Sequence, residues 1–190
     1  MSIGLELLKA KLSFGGGPAV SNRFDVVLPS PYFNRTDIFL VESATLPGRS
    51  ISTSEFTTNR ETMKNPYTFI DGEVSMTFIL DNRYTMRKAF DRWMNDVLNV
   101  ETYQLGYKHG NNGDGYAKSI TVKQQDKRLL TVYQVELLNA YPISISNIDL
   151  SNESENTISK LTVEFAYDKY RPIDTLLDSA TDEVRGRLGI

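Results

Sequence analysis

Few side chains in this sequence could carry out acid–base or metal chemistry. The only histidine, His109, stands in the glycine-rich segment KHGNNGDG together with Asp114, and a histidine beside a carboxylate could hold a metal ion or transfer a proton. One histidine and one aspartate supply fewer ligands than a zinc site needs, and NNGDG lacks the regularly spaced acids and the closing glutamate of a calcium loop. We interpret the segment as a turn and His109 as a loop residue.

A second acidic group lies in DLSNESENT, where Asp149, Glu153 and Glu155 could be taken for paired catalytic carboxylates. A catalytic pair needs surroundings that raise the pKa of one carboxyl, and no aromatic pocket is nearby in the sequence, so we expect solvated charges. The glycines at 15–17 have no preceding strand and no following lysine and hydroxyl residue, unlike a phosphate-binding loop. Since the chain also has no cysteine, we expect no catalytic residue, no cofactor and no metal site, and predict that the protein is not an enzyme.

Composition favours one globular domain that does not bind nucleic acid tightly. The 190 residues are 40 % hydrophobic and 24 % charged, with a net charge of −3 and a pI near 5.3. Tight binding to DNA needs clustered lysine and arginine that displace counterions from the phosphates. The longest apolar run, Ile38–Val41, is far shorter than the roughly 20 residues of a membrane-spanning helix, and the charged start of the chain is unlike a signal peptide. We therefore expect synthesis in the cytoplasm and no membrane insertion.

Alternating hydrophobic residues predict strands through most of the chain. The clearest are GEVSMTFILD and the segment at 158–168, in which every second residue is apolar. In full, strands are expected at 23–29, at 37–48, in two arms within 49–69, and at 72–81, 119–124, 129–142 and 158–168, with a hairpin turn at Asp126 and Lys127. Because the strands greatly outnumber helices and do not alternate with them, a mainly antiparallel β fold is predicted.

One long helix is predicted over residues 83–98. Its apolar residues recur at spacings of three and four, as they do on the buried side of a surface helix: Met86, Ala89, Phe90, Trp93, Met94 and Val97. Asp81 or Asn82 is expected to cap its N terminus, because both side chains can accept a free backbone N–H of the first turn. We expect Trp93 to anchor the helix on the core of the domain.

The two ends of the chain are predicted to lie outside the main domain, which we place at 21–172. Residues 1–20 combine a short amphipathic helix with a glycine-rich loop that stops it. Residues 173–190 form either a weak helix, with acids early and arginines late, or a flexible tail. We assign neither end a chemical role.

The segment RSISTSEFTTNRETMKNPYTF, at 49–69, is rich in serine and threonine, which favour extended chain. Its larger apolar residues, Ile51, Phe56, Met63 and Tyr67, do not form one continuous dry face. Two interpretations remain open at this point. The segment is either a solvated surface hairpin or an arm that completes its hydrogen bonds on a neighbouring chain, as exposed strand edges tend to do.

In their order along the chain, four segments resemble the tail tube protein of contractile-tailed bacteriophages and, more distantly, the tube protein of type VI secretion. They are SNRFDVVL, then VESATLPGRSI leading into the polar hairpin, then VSMTFILDNRYTMRKAFDRWMNDV, and finally VYQVELLNAYPISISNIDLSNESENTISKLTVEFAYDKY. The resemblance runs from about Ser21 to Tyr170. It rests on the order of the segments, since no single motif is as specific as a set of metal ligands.

The resemblance implies an antiparallel β-sandwich or half-barrel with one flanking helix and a projecting hairpin near 50–70. It implies a structural virion protein whose rings, commonly hexamers, stack into the inner tail tube, inside a sheath and above a baseplate, with DNA passing through without specific binding. We place the subunit interface on the hairpin, at Phe56, Thr57, Asn59, Arg60, Glu61, Met63, Asn65 and Pro66. Acidic residues are expected along the bore, with Glu55, Glu61 and Asp114 as candidates.

Three alternatives stay open at this stage. A tube-fold protein of the baseplate, which forms a single initiator or adaptor ring, shares the domain and often adds segments to it, as the two ends of this chain do. A carbohydrate-binding or hydrolytic β-sandwich of the tail tip is less favoured, because aromatic residues are scattered and an acid pair is missing. A secretion-system tube is the third.

Overall fold

In the computed structural model of the chain, residues 21–34, 40–58, 61–110, 114–127, 129–148, 150 and 158–173 are described. The predictions for the two ends, at 1–20 and 174–190, for the acidic run at Asp149 and 151–157, and for Asn59 and Arg60 lie outside them. The described ranges contain these elements: β1 (Phe24–Val27), β2 (Val41–Ala44), β3 (Arg49–Thr58), β4 (Glu61–Asp71), β5 (Val74–Ile79), α1 (Thr85–Val97), β6 (Lys118–Gln125), β7 (Thr131–Ile145), β8 (Lys160–Ala166) and β9 (Lys169–Ile173). No helix in these ranges is long and apolar enough to cross a membrane.

The strands form two antiparallel sheets that share one long strand. The first has the order β1-β6-β7-β9 and the second the order β7-β8-β5-β2. Strands β3 and β4 pair with each other as a separate two-stranded sheet. The predicted fold, mainly antiparallel β with one flanking helix and a projecting hairpin, is therefore confirmed.

The core is built from the predicted alternation. Three directly opposed pairs of β5 and β8 are fully or almost fully buried: Val74 with Phe165, Met76 with Val163, and Phe78 with Leu161. Opposed residues of antiparallel strands point to the same side of a sheet, so the two alternating patterns produce one apolar surface. Burial of each large apolar side chain contributes roughly 1.5 to 3 kcal/mol to folding.

Helix α1 covers this surface through Met86, Phe90 and Trp93, which are fully buried. The helix begins at Thr85, two residues later than predicted, and the residue at its N-cap position is Tyr84, in a left-handed conformation with φ 54°. The side chain of Tyr84 makes no capping bond. Asp81, four residues before Thr85, binds the first turn of the helix. Its Oδ1 accepts the Thr85 backbone N–H at 2.7 Å, and its Oδ2 accepts the Thr85 hydroxyl at 2.8 Å. The expected cap is thus corrected in position, although Asp81 still satisfies a backbone N–H of the first turn.

Strand β7 passes from one sheet to the other at Asn139. Residues 134–138 pair with β9 and residues 141–145 pair with β8. Between them Asn139 has a φ of 56°, which asparagine tolerates better than most residues. The turn before β7 is the one predicted at Asp126, whose carboxylate accepts the Leu130 N–H at 3.0 Å. Strand β9 was not predicted, and the expected strand at 37–48 is reduced to β2 in its described part.

Candidate assembly interface

Strands β3 and β4 form a long hairpin, residues 49–71, that we call the arm. Every residue of β4 before Asp71 is exposed, although strands in sheets normally bury at least one side. The exposed residues include large apolar side chains, with Phe56 62 % exposed and Met63 54 % exposed. An arm with so much uncovered apolar and backbone surface is a candidate for pairing with another chain.

The apolar residues of the arm lie on both of its sides. Ile51 is opposite Phe69 near the base, whereas Phe56 is opposite Met63 near the tip. Because residues 51 and 56 differ by an odd number, the two pairs point to opposite sides of the strand pair. The register also shifts after Ser52, where β4 skips Tyr67. The expectation that these residues form no single dry face agrees with this arrangement.

The predicted interface residues that are described lie together in the outer half of the arm. They are Phe56, Thr57, Glu61, Met63, Asn65 and Pro66, and all are exposed. The outer half of the arm is polar as well as apolar. The Thr57 and Thr62 hydroxyls are 3.3 Å apart, and the Lys64 Nζ lies 3.5 Å from the Glu55 carboxylate. Their part in subunit contacts stays a prediction.

The base of the arm is held by Arg49, the first residue of β3. Its Nε and Nη2 donate to the two carboxylate oxygens of Asp71, the opposed residue at the end of β4, at 2.7 and 3.1 Å. Nη2 also donates to the backbone carbonyl of Tyr170 in β9 at 3.2 Å. The guanidinium carbon lies 4.0 Å from the centre of the Tyr170 ring and 5.1 Å from that of Phe69. The hydrogen bonds to Asp71 are the main cause that raises the pKa of Arg49 above its ordinary value.

Two glycines flank this residue pair. The N–H of Gly72 donates to the carbonyl of Gly48 at 2.8 Å, so the chain enters and leaves the arm at adjacent points. The Tyr167 hydroxyl donates to the Gly72 carbonyl, and partial burial raises the pKa of that hydroxyl. Sequence reasoning missed this base, because Arg49 and Tyr170 are far apart in the chain and only the fold brings them into contact.

The loop before β6 is fixed by an ion pair. Lys108 Nζ lies 2.6 Å from Asp168 Oδ1, and Asn139 Nδ2 donates to Asp168 Oδ2 at 2.9 Å. The hydrogen bond from Lys108 is the main cause that holds the pKa of Asp168 below its ordinary value. His109 follows with an exposed side chain, and the described ranges contain no group of three or more potential metal-binding residues.

We expect His109→Ala to leave assembly unchanged and to alter the free energy of unfolding by less than about 0.5 kcal/mol, because the side chain is exposed. Urea unfolding of the full chain measures this. Lys108→Ala in the same loop is the comparison, since it breaks an exposed ion pair and should cost about 0.2 to 1 kcal/mol. Loss of tube formation in the His109 variant, or of a metal ion bound by the wild type, would contradict the turn interpretation.

The three acids predicted to line a bore lie on two separate elements. Glu55 and Glu61 are on the arm, and Asp114 is in the loop before β6. All three are exposed, and the Lys64 Nζ lies 3.5 Å from the Glu55 carboxylate. Which of them face a bore stays a prediction.

The described part of the chain is thus a β domain with two sheets that share a strand, one covering helix and a projecting arm. Residues 17–172 match the family model described as phage tail tube protein, and the chain belongs to that family. No curated protein sequence gives a significant match.

Solved structures from an extracellular contractile injection system and from the anti-feeding prophage have a similar fold. A chain of the PVC sheath-tube complex in the extended state superposes with a TM-score of 0.61 at 15 % identity, covering 91 % of this chain and 98 % of that one. The tube-terminating cap of the anti-feeding prophage gives a TM-score of 0.60 at 16 % identity, with 82 % and 91 % covered. The PVC sheath/tube terminator gives 0.59 at 15 % identity, with 83 % and 97 % covered. At these identities the likeness is one of fold.

Proposed function

We propose that this protein forms rings, six subunits to a ring, that stack into the inner tube of a contractile phage tail. The observation that carries the proposal is the arm, because in the described part of the chain the ten residues of β3 and the eleven of β4 pair only with each other, and 18 of them are exposed. Membership of the phage tail tube protein family supports it. The arm of one subunit and a different surface of the next would form a head-to-tail contact, the kind of interface that closes into a ring.

The proposed tube works as a conduit and has no catalytic step. A ring of six chains carries a formal charge of six times −3, or −18. A bore lined with acids and hydroxyl groups repels the phosphates of DNA, so the genome slides through during ejection and is not held. The sheath around the tube and the baseplate below it are the proposed partners, and the tail of the virion is the proposed location.

Negative-stain electron microscopy of the purified full-length chain tests this function. We expect rings, or stacked tubes at higher concentration, with a central channel. A protein that stays monomeric up to millimolar concentration would contradict the proposal. A salt titration of DNA binding is the second measurement. Binding at physiological salt would contradict the proposal that the bore does not hold DNA.

A second candidate is a single ring at one end of the tube. It is favoured by the fold comparisons, because structures of a tube-terminating cap, a sheath/tube terminator and a baseplate give TM-scores of 0.60, 0.59 and 0.55, close to that of the sheath-tube complex. Copy number separates the two candidates. Quantitative mass spectrometry of purified particles should find many copies for a main tube and about one ring of copies for a terminal or baseplate ring.

A further inference from the structure

Two glycines, Gly48 and Gly72, lie at the base of the arm, where it joins the sandwich. Gly48 precedes β3 and Gly72 follows β4. An added Cβ at Gly48 would meet nothing within 4 Å, and one at Gly72 would meet only the backbone of Gly48 at 3.6 Å, an ordinary contact. Lack of space therefore does not explain either glycine. What two glycines side by side do provide is a wide range of backbone conformations at the point where the arm begins.

Arg49 supplies the restraint at the same point. Through Asp71 it joins the first residue of β3 to the last residue of β4, and through Tyr170 it joins both to β9 of the sandwich. The planar guanidinium stacks on the Tyr170 ring while its edge donates to a carboxylate and a carbonyl, a geometry that lysine cannot reproduce. Arg49 thus bridges the arm and the body of the domain at their junction.

We propose that Arg49 is a positioning residue, which locks the two-glycine hinge of Gly48 and Gly72 and so sets the direction in which the arm projects before assembly. The inference rests on the proposed function, because the arm must reach a neighbouring subunit in a defined direction. A lock at the base reduces the directions that the free arm samples, and so reduces the entropy lost on contact. Without it, an arm that pointed correctly about a tenth of the time would bind about tenfold more weakly.

The direction of the arm can be measured in the free subunit by the distance between two spin labels. The chain has no cysteine, so Lys64→Cys on the arm and Lys88→Cys on the exposed side of α1 give two clean labelling sites. Measurements are made on the full-length chain at a concentration where it is monomeric. We expect one narrow distance distribution for the parent, and a distinctly broader one after Arg49→Ala or Tyr170→Ala.

Two matched variants distinguish positioning from a general loss of packing. Tyr170→Phe keeps the ring and the backbone carbonyl that Arg49 contacts, so the narrow distribution should be retained. Arg171→Ala removes the neighbouring arginine, whose ion pair with Glu136 at 2.8 Å joins β9 to β7 and not to the arm, so it should also leave the distribution narrow. Arg49→Lys keeps the positive charge but loses the planar guanidinium that lies over the Tyr170 ring and donates to Asp71. We expect this variant to broaden the distance distribution.

Near-ultraviolet circular dichroism reports the packing of Trp93 and verifies that each variant is folded. An unchanged distance distribution in folded Arg49→Ala, or one broadened equally by Arg171→Ala, would overturn the proposal. Assembly is scored separately, by counting rings of the unlabelled variants by native mass spectrometry, and we expect about tenfold fewer closed rings for Arg49→Ala. If the parent forms no rings, the proposed function fails while the spin-label result still decides the role of Arg49. If Arg49→Ala assembles as the parent does, the lock is not used in assembly and the proposal is wrong.

Discussion

Trp93→Ala is expected to lower the free energy of unfolding by about 3 to 5 kcal/mol, the range for truncating a large aromatic residue in a core. Trp93 is fully buried, and its ring stacks on Tyr32 with 5.0 Å between centres and contacts Phe165 at 6.1 Å. Its Nε1 also donates to the Tyr116 carbonyl at 2.7 Å. One side chain therefore ties α1 to β8 and to the two segments that carry Tyr32 and Tyr116.

Urea unfolding of the parent protein and of Trp93→Ala under the same conditions measures the loss in free energy of unfolding. Trp93→Phe is the control, because it keeps an aromatic ring in the core but leaves the Tyr116 carbonyl without its donor, and it should cost about 1 to 3 kcal/mol. A loss below about 1 kcal/mol for Trp93→Ala would mean that α1 contributes little to the core, against the packing described here. If Trp93→Phe lost as much free energy of unfolding as Trp93→Ala, the effect would be assigned to the hydrogen bond from Trp93 Nε1 to the Tyr116 carbonyl.

Most strands of the sandwich could be predicted from the sequence, because apolar and polar residues alternate along them. The alternation of Val74, Met76 and Phe78 predicted a strand with one buried side, and in the structure these three side chains are buried. The three-and-four spacing of Met86, Phe90 and Trp93 predicted a helix covering the sheet in the same way, although the helix starts later than predicted, at Thr85, because Tyr84 adopts a left-handed conformation. Local patterns report which side of an element is buried.

What the patterns could not predict depends on contacts between distant parts of the chain. Strand β9, with the sequence KYRPI, has no alternation and is a strand only because β7 is long enough to pair with it. The change of sheet at Asn139 depends on a single residue with positive φ, which no periodicity reveals. Arg49 is one of eleven arginines in the sequence, and its contacts with Tyr170 become visible only when β9 lies beside the base of the arm.

The arm was predicted as a hairpin from its composition, and two interpretations of it were left open. The structure shows an exposed two-stranded sheet with apolar residues on both sides. Phe56 and Met63 are opposite each other in this sheet and both are exposed. That the arm contacts another chain stays a prediction, which a direct experiment tests.

Replacing Phe56–Pro66 by a short glycine-serine link is expected to abolish ring and tube formation while leaving a folded, soluble monomer. The core pairs of β5 and β8 and the buried face of α1 lie outside the replaced segment, so the melting temperature should change by less than about 4 °C, which corresponds to about 1 kcal/mol for a chain of this size. Electron microscopy scores assembly, and thermal unfolding of the same sample scores the fold.

Hydrogen exchange on the intact chain tests the physical reason why the link variant should not form rings or tubes. In the monomer, backbone N–H groups across residues 55–58 and 61–65 have only the partner strand of the arm to bond to, so they should exchange quickly, whereas those of β5 and β8 should exchange slowly. Assembly should slow exchange in the arm sharply, because its exposed edges and side chains then bond to a neighbouring subunit. Tubes formed by the link variant, or an arm already protected in the monomer, would show that the arm completes its own domain and that subunits are joined elsewhere.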